Sequence, residues 1–481
     1  MPKFGLDFGT TNSAIAIEKD GVGEVLKIDL KALDPGVVRT LLYMNRREIV
    51  YRENIEPIRI KEQIFKAGDF HWEGEFKPLI GQAAVERYLE ENKNRKPGLR
   101  RIIFTGKWWQ STAQGMAPAE PGRGVEEFYE EVDYGVGRLL QALKTALKSR
   151  FYKGTTVFGK YFTLEELISV FISEMKKKAE GEIGEKVGEV VVGRPVHFSD
   201  DPVKDKEAED RLRKALELAG FKKITFEFEP VGAARQFISS QDSGQVEDPV
   251  RARMTKLVFV FDFGGGTLDT AIVRGSEVLA ADGVYIGGDL LNADIFREKL
   301  WRYFGYKSLY GDAQLQVPPH IYEGLNSWYS IPNLNNPDMM LLLDKCKYKN
   351  LFPEAIDRLI YLIKMNLGFD LYEQIEKTKK ELSFSDQATL EFESGPIQIK
   401  EKITREEFEK IIKPRVDEIR AVIFKTLETA GVEAKDIDVV VRTGGSSLIP
   451  VFENLLVEIF GKEKIKQFET FTSIASGLSL Y

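Results

Sequence analysis

The sequence predicts an α/β protein built as two lobes around a cleft. Apolar strands alternate with amphipathic helices along most of the chain, a pattern typical of α/β folds. A short motif occurs twice, at residues 7–15 and 262–272: an Asp at the end of an apolar strand, a Gly/Thr turn and a second apolar strand. The 481 residues correspond to about three units of ordinary domain size, or to duplicated lobes that work as one.

The elements of the first half follow from helix caps and from the spacing of apolar residues. Thr163 and Glu166 form a capping box that opens a helix over residues 163–179, whose apolar positions share one face. Strands and helices then alternate over residues 189–192, 205–219, 224–228 and 231–238, in that order. The polar stretch 239–256 is predicted to be a loop between the two halves.

The second half begins with an apolar strand at residues 257–261, which leads directly into Asp262 and the second Gly/Thr turn. Thr404 and Glu407 form another capping box, which opens a long helix that ends before Gly431. The remaining predictions are a strand at residues 437–441, a turn at 443–447 and a helix from about 450.

Composition and charge exclude several classes of function. A net charge of −7 without a basic stripe argues against a nucleic-acid surface. No apolar run approaches the ~20 residues of a membrane helix, and the N-terminus enters the first predicted strand without room for a signal peptide. A single cysteine, Cys346, suits a reducing compartment. We therefore expect a cytoplasmic protein whose partners include neither nucleic acid nor membrane.

The duplicated turns predict a site for a polyphosphate and its metal ion. Glycine lets backbone N–H groups approach an anion closely, and threonine hydroxyls add donors. Asp7, Asp262 and Asp269 are the candidate metal ligands, because Mg²⁺ on a triphosphate takes few direct protein ligands. The alternative is two hairpins with Gly-rich tips and Asp at the turns, and the repetition of the whole motif disfavours it.

Two further segments carry polar residues at the ends of predicted strands. Glu229 stands at the end of a strand, where its carboxylate would orient or deprotonate an attacking water. The turn of Gly444, Gly445 and Ser446 lies between a strand and a helix and would expose backbone N–H groups to a ligand. Taken alone, the first segment is better explained as a common Glu-Pro dipeptide. An ordinary strand-to-helix turn explains the second segment almost as well.

Taken together, these segments resemble the ATPase domain of the seventy-kilodalton heat-shock (DnaK-type) chaperones, in the actin/hexokinase superfamily. The matches run in family order, at residues 5–13, 193–198, 229–234, 262–269, 286–289, 376–383 and 444–450. They span essentially the whole chain, with divergent segments between them. The resemblance implies an actin-like ATPase fold that binds ATP or ADP with Mg²⁺ in a nucleotide cleft.

The resemblance also implies a role for each matching residue. Asp7 and Asp262 would hold Mg²⁺ through water, and Glu229 would serve the attacking water together with Thr267 and Asp269. Lys107, which precedes two tryptophans, is matched to the phosphate-facing lysine of the family. The nucleotide would be bound by Gly9, Thr10, Thr11, Asn12, Gly264, Gly265, Gly266, Thr267, Gly287, Gly288, Glu376, Lys379, Lys380, Ser383, Gly444, Gly445 and Ser446.

Three positions depart from the family pattern around the base. Lys380 stands where the family has its adenine-stacking arginine, Leu448 replaces a second arginine, and Phe471 replaces an acidic residue. Arginine stacks on a flat base and lysine does so poorly. We therefore expect weak base selectivity beside intact phosphate-binding turns.

The resemblance divides the chain into lobe I at residues 1–238, lobe II at 257–465, and a C-terminal helix at 466–481 that returns to lobe I. Lobe I carries an insert at roughly 40–150, and lobe II an aromatic insert at roughly 297–372. The family's ATPase domain ends near residue 477, so no peptide-binding domain is expected. The chain is then similar to the stand-alone relatives of the YegD type.

The expected function is that of a chaperone-like, Mg-dependent ATPase whose lobes close on nucleotide, with a protein client or co-chaperone as a further partner. Three alternatives stay open. An actin-like filament protein of the MreB type has similar turns but is shorter and lacks the aromatic stretch 301–351. A sugar or metabolite kinase would need a separate Asp as general base, and a nucleotide-binding module would lack turnover.

Overall fold

The computed structural model describes residues 2–45, 50–51, 64–66, 70–71, 78–92, 100–112, 115–120, 125–132, 137–149, 152–157, 160–199, 201–240, 256–275, 277–328, 330–468 and 472–481. These residues form two compact units. One consists of Met1–Leu42, Ile80–Ala83 and Leu140–Tyr481, and the other of Tyr43–Leu79 and Ala84–Leu139. Every candidate site residue except Lys107 belongs to the larger unit.

The first large sheet of this unit is built around the strand that ends near Asp7. Its main strands, in spatial order, are Lys223–Phe228, Glu189–Arg194, Lys3–Phe8, Asn12–Lys19 and Val22–Val25. The first three run parallel and the others antiparallel, and the short strand Val38–Arg39 also pairs with Asn12–Lys19. Lys3–Phe8 is the central strand of this order, and its apolar residues Phe4, Leu6 and Phe8 are fully buried.

The second large sheet repeats the order and the directions of the first. Its strands, in the corresponding order, are Ile465–Gln467, Val439–Thr443, Leu257–Phe263, Leu268–Arg274 and Glu277–Val284. Again the central strand pairs antiparallel with the strand that follows it and parallel with one from much later in the chain. All seven residues of Leu257–Phe263 are buried, as expected for an apolar strand covered on both faces. The duplication in the sequence therefore extends to whole sheets.

Helices cover both sheets and complete a mixed α/β structure. The helices of the larger unit are Leu143–Ala146, Leu164–Ile183, Pro202–Leu218, Glu229–Ser240, Gly288–Ile295, Pro319–Glu323, Pro337–Lys347, Pro353–Lys364, Gly368–Leu382, Arg405–Ala430, Pro450–Phe460 and Ser473–Ser479. Short 3-10 or π turns lie at Phe296–Leu300, Trp301–Phe304, Ile331–Leu334, Ala434–Asp436, Gly445–Leu448 and Lys462–Lys464. Three small hairpins pair Gly154–Val157 with Lys160–Thr163, Leu309–Tyr310 with Leu315–Gln316, and Gln387–Ser394 with Ile397–Thr404.

The predicted helix starts are confirmed where a cap determines them. The side chains of Thr163 and Thr404 each close a complete capping box. One helix begins earlier than predicted, at Pro202, because the side chain of Asp201 accepts two backbone N–H groups and a proline is favourable in the first turn. Glu229 is the first residue of a helix and not the last of a strand. Most of the predicted loop 239–256 lies outside the described residues.

The helix Ser473–Ser479 lies against the first sheet at a distance that glycine permits. A Cβ on Gly5 would lie 2.2 Å from the carbonyl oxygen of Ala475, and one on Gly23 2.2 Å from that of Ser476. Leu478 of this helix belongs to one core cluster with Val191 of the first sheet and Val260 of the second. This helix and Glu229–Ser240 thus share a core with both sheets.

The aromatic stretch 301–351 is packed onto the second sheet. Trp301, Phe304 and Tyr322 belong to the same buried cluster as Phe259 and Phe261 of that sheet. The stretch contains short helices and a small hairpin. Its aromatic composition is therefore explained by a core that it completes.

The smaller unit consists mainly of strands. The elements that lie wholly or partly in it are the strands Leu41–Asn45, Val50–Tyr51, Ile64–Lys66, Phe70–His71, Pro78–Ile80, Arg100–Thr112, Gly115–Ala119, Val125–Val132 and Gly137–Gln141 and the helix Gln82–Asn92. Arg100–Thr112 pairs antiparallel with Gly115–Ala119 and Val125–Val132, and parallel with Ile64–Lys66. Within the described ranges of both units, no helix has the length and apolar character to cross a membrane.

Candidate functional site

The two Gly/Thr turns lie in direct contact. A Cβ on Gly265 would be 1.9 Å from Oγ1 of Thr11, and one on Gly266 would be 2.5 Å from Oγ1 of Thr10. Side chains larger than hydrogen therefore cannot occupy these two glycine positions without separating the turns. Oγ1 of Thr11 is buried and has no hydrogen-bond partner among the residues that the structure describes. A buried hydroxyl without a partner, between two Gly-rich turns, fits a polar ligand such as a phosphate.

Backbone hydrogen bonds hold each turn in shape. In the first turn, the N–H of Thr40 donates to the carbonyl oxygen of Thr11 at 2.8 Å. A Cβ on Gly9 would be 2.0 Å from the carbonyl oxygen of Asn12, so glycine is required there too. In the second turn, the N–H of Gly264 donates to the carbonyl oxygen of Thr267 at 3.0 Å. Each turn is thus held by a backbone hydrogen bond at the end of a central strand.

Two other predicted segments pack against the second turn. The carbonyl oxygen of Gly264 accepts two hydrogen bonds, one from the N–H of Gly288 at 3.0 Å and one from Oγ of Ser446 at 2.9 Å. A Cβ on Gly287 would lie 2.3 Å from the carbonyl oxygen of Gly265. Gly444 has a φ of 79°, in the left-handed region that favours glycine. Gly445, the remaining predicted member of this turn, begins the 3-10 turn Gly445–Leu448, which contains Ser446 and ends at the position where the family has an arginine.

Acidic residues from both sheets surround one lysine beside the turns. The buried carboxylate of Glu229 is hydrogen-bonded to the buried ammonium of Lys144. Asp262 and Asp269 are directly paired across adjacent strands, and both are buried. Asp7 belongs to the same group, because its charge interacts with those of Glu229 and Lys144. If all four carboxyl groups were ionised, their charge would exceed that of Lys144, and a bound cation would offset the excess.

Burial and repulsion by neighbouring carboxylates make the three aspartates of this cluster harder to ionise. Burial, and then the charge of Glu229, raises the pKa of Asp7 to about 7, although Lys144 opposes the shift. Burial and Glu229 likewise raise the pKa of Asp269 to about 7, against hydrogen bonds from Thr267 and from the N–H of Val196. Burial raises the pKa of Asp262 well above its usual range. Perturbed carboxyl groups clustered in this way are typical of functional sites.

The charge of Lys144 is retained by its acidic neighbours. Burial opposes that charge, but Glu229, Asp7 and Asp269 outweigh it and raise the pKa of the ammonium group. Throughout the described part of the chain, no three Asp, Glu, His or Cys side chains converge closely enough to ligate one metal ion. The carboxylates of the cluster nevertheless offer oxygen atoms, the ligand type that Mg²⁺ takes in small number while it keeps several waters.

A third group of residues lies on the helix Gly368–Leu382. The ammonium of Lys379 is 2.6 Å from the carboxylate of Glu376 and donates to the carbonyl oxygen of Gly288 at 2.9 Å. Burial opposes the charge of Glu376, but Lys379 and Lys380 outweigh it and lower its pKa to about 2. Lys380 is largely exposed and lies 3.4 Å from Glu376. Ser383 is the residue that caps the helix C-terminus.

The lysine in the acidic cluster was not selected by sequence analysis. Lys107 lies on the strand Arg100–Thr112 of the smaller unit, and its side chain is outside the described residues, as is Phe471. Lys144 occupies a four-residue helix, and its sequence context is an unremarkable amphipathic run. A motif search that allowed another lysine between the first turn and Glu229 would have included it.

An ion pair between distant segments was also missed. The guanidinium of Arg39 donates to both carboxylate oxygens of Glu373, at 3.0 and 2.6 Å. Arg39 pairs with Asn12 of the first turn, and Glu373 lies one helical turn before Glu376. The pair therefore connects the first sheet to the helix that carries the third group of site residues.

Comparison with known proteins gives two findings. A family model described as Hsp70 protein matches residues 129–296 and 365–481, which is more than half of the chain. Two curated proteins named Chaperone protein DnaK, from two strains of Thermus thermophilus, are 23% and 22% identical to it over 484 residues. These alignments cover 99% of this chain and 60% of each relative, so the chain spans about 60% of their length. The family match includes Lys144, Glu229 and the second turn but not residues 1–128.

Proposed function

Because the chain belongs to the Hsp70 protein family, we propose that it binds Mg·ATP and Mg·ADP at the two facing turns and hydrolyses ATP there. The observation that carries the proposal is the contact between the turns, where the hydroxyl of Thr11 has no hydrogen-bond partner in the part of the chain that the structure describes. The strands that lead into these turns carry Asp7 and Asp262. The relatives are named chaperones, so we extend the proposal to a chaperone-type function in which nucleotide controls binding of a protein partner.

The turns would hold the phosphates by means of backbone N–H groups and threonine hydroxyls. Gly265 and Gly266 allow the second turn to approach Thr10 and Thr11 closely, so donors of both turns reach one polyphosphate. Lys144 would add positive charge next to the carboxylates. Asp7 and Asp262 would hold the hydration shell of Mg²⁺, which when bound neutralises charge on the phosphate oxygens.

Glu229 is the residue best placed to act on water. Its carboxylate is buried and held by Lys144, so its position is defined before any ligand arrives. The side chain of Thr267, in the second turn, is hydrogen-bonded to Asp269. The carboxylate of Asp269 also accepts a hydrogen bond from the N–H of Val196 at 2.8 Å. Hydrolysis of a phosphoanhydride depends mainly on positioning and electrostatic stabilisation, which rigid groups of this kind provide.

Binding of Mg·ATP is expected to raise the melting temperature. A ligand that binds only the folded state adds ~2.7 kcal/mol to the free energy of unfolding at a hundredfold excess over its Kd. Differential scanning fluorimetry with ATP and with ADP, with and without EDTA, checks both the nucleotide and the metal. An unchanged melting temperature at millimolar Mg·ATP would contradict the proposal.

Closure of the two halves on nucleotide is part of the proposal, since each half contributes one turn. The pair between Arg39 and Glu373 joins the halves and should slow ligand release. We expect Glu373→Gln to quicken ADP release ~3–5-fold, equivalent to ~1 kcal/mol for a half-buried bidentate pair. Stopped-flow release of a fluorescent ADP analogue measures this.

The matched control for that variant is Glu458→Gln. Glu458 accepts hydrogen bonds from both Nη atoms of Arg420, at 2.8 and 2.7 Å. Unlike Arg39 and Glu373, these two residues lie on helices that both cover the second sheet. This variant should leave the release rate unchanged. Equal effects of the two substitutions would mean that the pair of Arg39 and Glu373 has no special part in release.

Base selectivity is expected to be weak. Lys380 is exposed and turned to Glu376, and Leu448 offers no guanidinium, so neither supplies the flat cation that stacks on adenine. Competition titrations should show ATP and GTP within ~10-fold of each other, the scale of ~1.4 kcal/mol. Lys380→Arg should strengthen binding of both. A preference for ATP by several orders of magnitude would show that other residues select the base.

A further inference from the structure

The segment that carries Lys144 does not support itself. Its helix, Leu143–Ala146, has only four residues, too few to be stable alone. The residue before it, Ala142, has a φ of 55°, in a left-handed region that costs a non-glycine residue roughly 1 kcal/mol or more. The position of the ammonium beside Glu229 therefore depends on contacts from elsewhere in the fold.

One arginine supplies several of those contacts, in addition to the packing of Leu143 and Leu147, which are both buried. Nη1 of Arg211 lies within hydrogen-bond distance of the carbonyl oxygens of Ala146, Leu147 and Ser149, at 3.4, 3.2 and 3.1 Å. Nη2 donates to the carbonyl oxygen of Tyr152 at 3.1 Å. These are the carbonyl groups at the end of the short helix and in the chain after it, and a guanidinium fork can serve several of them at once.

The arginine is itself held by two long helices. Arg211 belongs to Pro202–Leu218, and its Nε donates to the carboxylate of Glu165 at the start of Leu164–Ile183. Leu212 and Leu216 are fully buried on the former helix, and Leu167 and Phe171 on the latter. Side chains that are fixed by packing on rigid elements can position a site accurately. A chain of contacts thus runs from the helix pair through Arg211 to Lys144.

We infer that Arg211 is a positioning residue, which sets the place of the Lys144 ammonium relative to Glu229 and to the phosphates. The expected effect of Arg211 on the hydrolysis rate rests on the proposed ATPase function. Its expected effect on the structure of the segment that carries Lys144 does not. Without the guanidinium, the four carbonyl groups that it contacts turn to water, and the strained short helix loses these hydrogen bonds. Displacing a charged group by about 1 Å can cost 10²-fold in rate.

The test compares Arg211→Gln with Arg213→Gln. Arg213 lies on the same helix, donates to the carbonyl oxygen of Ile224 at 3.2 Å and lies over the ring of Phe226, away from the Lys144 segment. Amide hydrogen exchange without nucleotide should show at least a tenfold loss of protection at residues 143–149 in the first variant only. Arg211→Lys keeps the charge but loses the fork, and should show a smaller loss in the same segment.

Single-turnover hydrolysis provides the second readout. Arg211→Gln should lower the rate ~10-fold or more while Kd for Mg·ADP changes little, because positioning acts mainly in the transition state. If Arg211 acts through Lys144, adding the substitution to Lys144→Ala should lower the residual rate no further, whereas independent effects would multiply. Unchanged exchange at 143–149, or an equal rate loss in both backgrounds, would overturn the inference. Lack of nucleotide binding by the wild type would refute the proposed function, and the exchange experiment would still decide the role of Arg211.

Discussion

Replacing Glu229 by alanine is expected to lower the single-turnover rate of ATP hydrolysis ~10²-fold or more, the scale of one general base or one preorganised donor. Binding of Mg·ATP should be retained. The charge of Glu229 raises the pKa values of Asp7, Asp262 and Asp269, so its removal makes these groups easier to ionise. Calorimetric titration beside the kinetic measurement separates the two effects.

The matched control is Glu227→Gln. Glu227 precedes Glu229 by two residues on the strand Lys223–Phe228 and pairs with Arg235 at 3.4 Å, outside the acidic cluster. Its rate should equal that of the wild type. Thr267→Ala should behave like Glu229→Ala, and Asp262→Ala should also weaken Mg-dependent binding. Normal hydrolysis by Glu229→Ala would mean that another residue acts on the water, and tight binding without any wild-type hydrolysis would indicate a nucleotide sensor.

Substituting alanine for Gly265 is expected to weaken nucleotide binding ~10²-fold or more, since a displacement of about 1 Å in a site that depends on positioning has effects of that size. The new Cβ would lie 1.9 Å from Oγ1 and 2.9 Å from Cβ of Thr11, so rotation of the threonine alone does not relieve the clash. The turns must move apart, and their donors then no longer reach the same phosphates. Equilibrium titration with Mg·ADP measures the loss.

The control for this variant is Gly181→Ala in the helix Leu164–Ile183. A Cβ on Gly181 meets no atom within 4 Å, so the change should leave Mg·ADP affinity unchanged. It should also raise the free energy of unfolding by roughly 0.5–1 kcal/mol, because alanine loses less backbone entropy in a helix. If Gly265→Ala stays folded and binds nucleotide normally, the contact between the turns has no part in binding.

Features that are encoded within a few neighbouring residues could be predicted from the sequence. The capping boxes at Thr163 and Thr404 form because each motif contains its own donors and acceptors. The central strand Leu257–Phe263 follows from an unbroken apolar run. The start of the helix at Glu229 was placed less well, because Glu-Pro suits either a strand end or a first helical turn.

Features that depend on distant residues could not be predicted in this way. Lys144 and Glu229 are 85 positions apart, Arg39 and Glu373 are 334 apart, and Arg211 bonds to carbonyl groups that lie 59 to 65 positions before it. Every residue type carries the same backbone carbonyl group, so contacts to these groups leave no sequence motif. The dependence of the Lys144 segment on Arg211 therefore could not be predicted from the sequence. The raised pKa values of Asp7 and Asp269 likewise result from burial and from neighbours in space.

The sequence by itself thus determined the α/β class, the duplicated turns and the acidic residues beside them, because local periodicity and glycine conformation are properties of short segments. Only the tertiary structure decided which lysine joins those carboxylates. Many lysines in this chain have similar local surroundings, and what distinguishes Lys144 is burial among opposite charges that the fold brings together from both sheets.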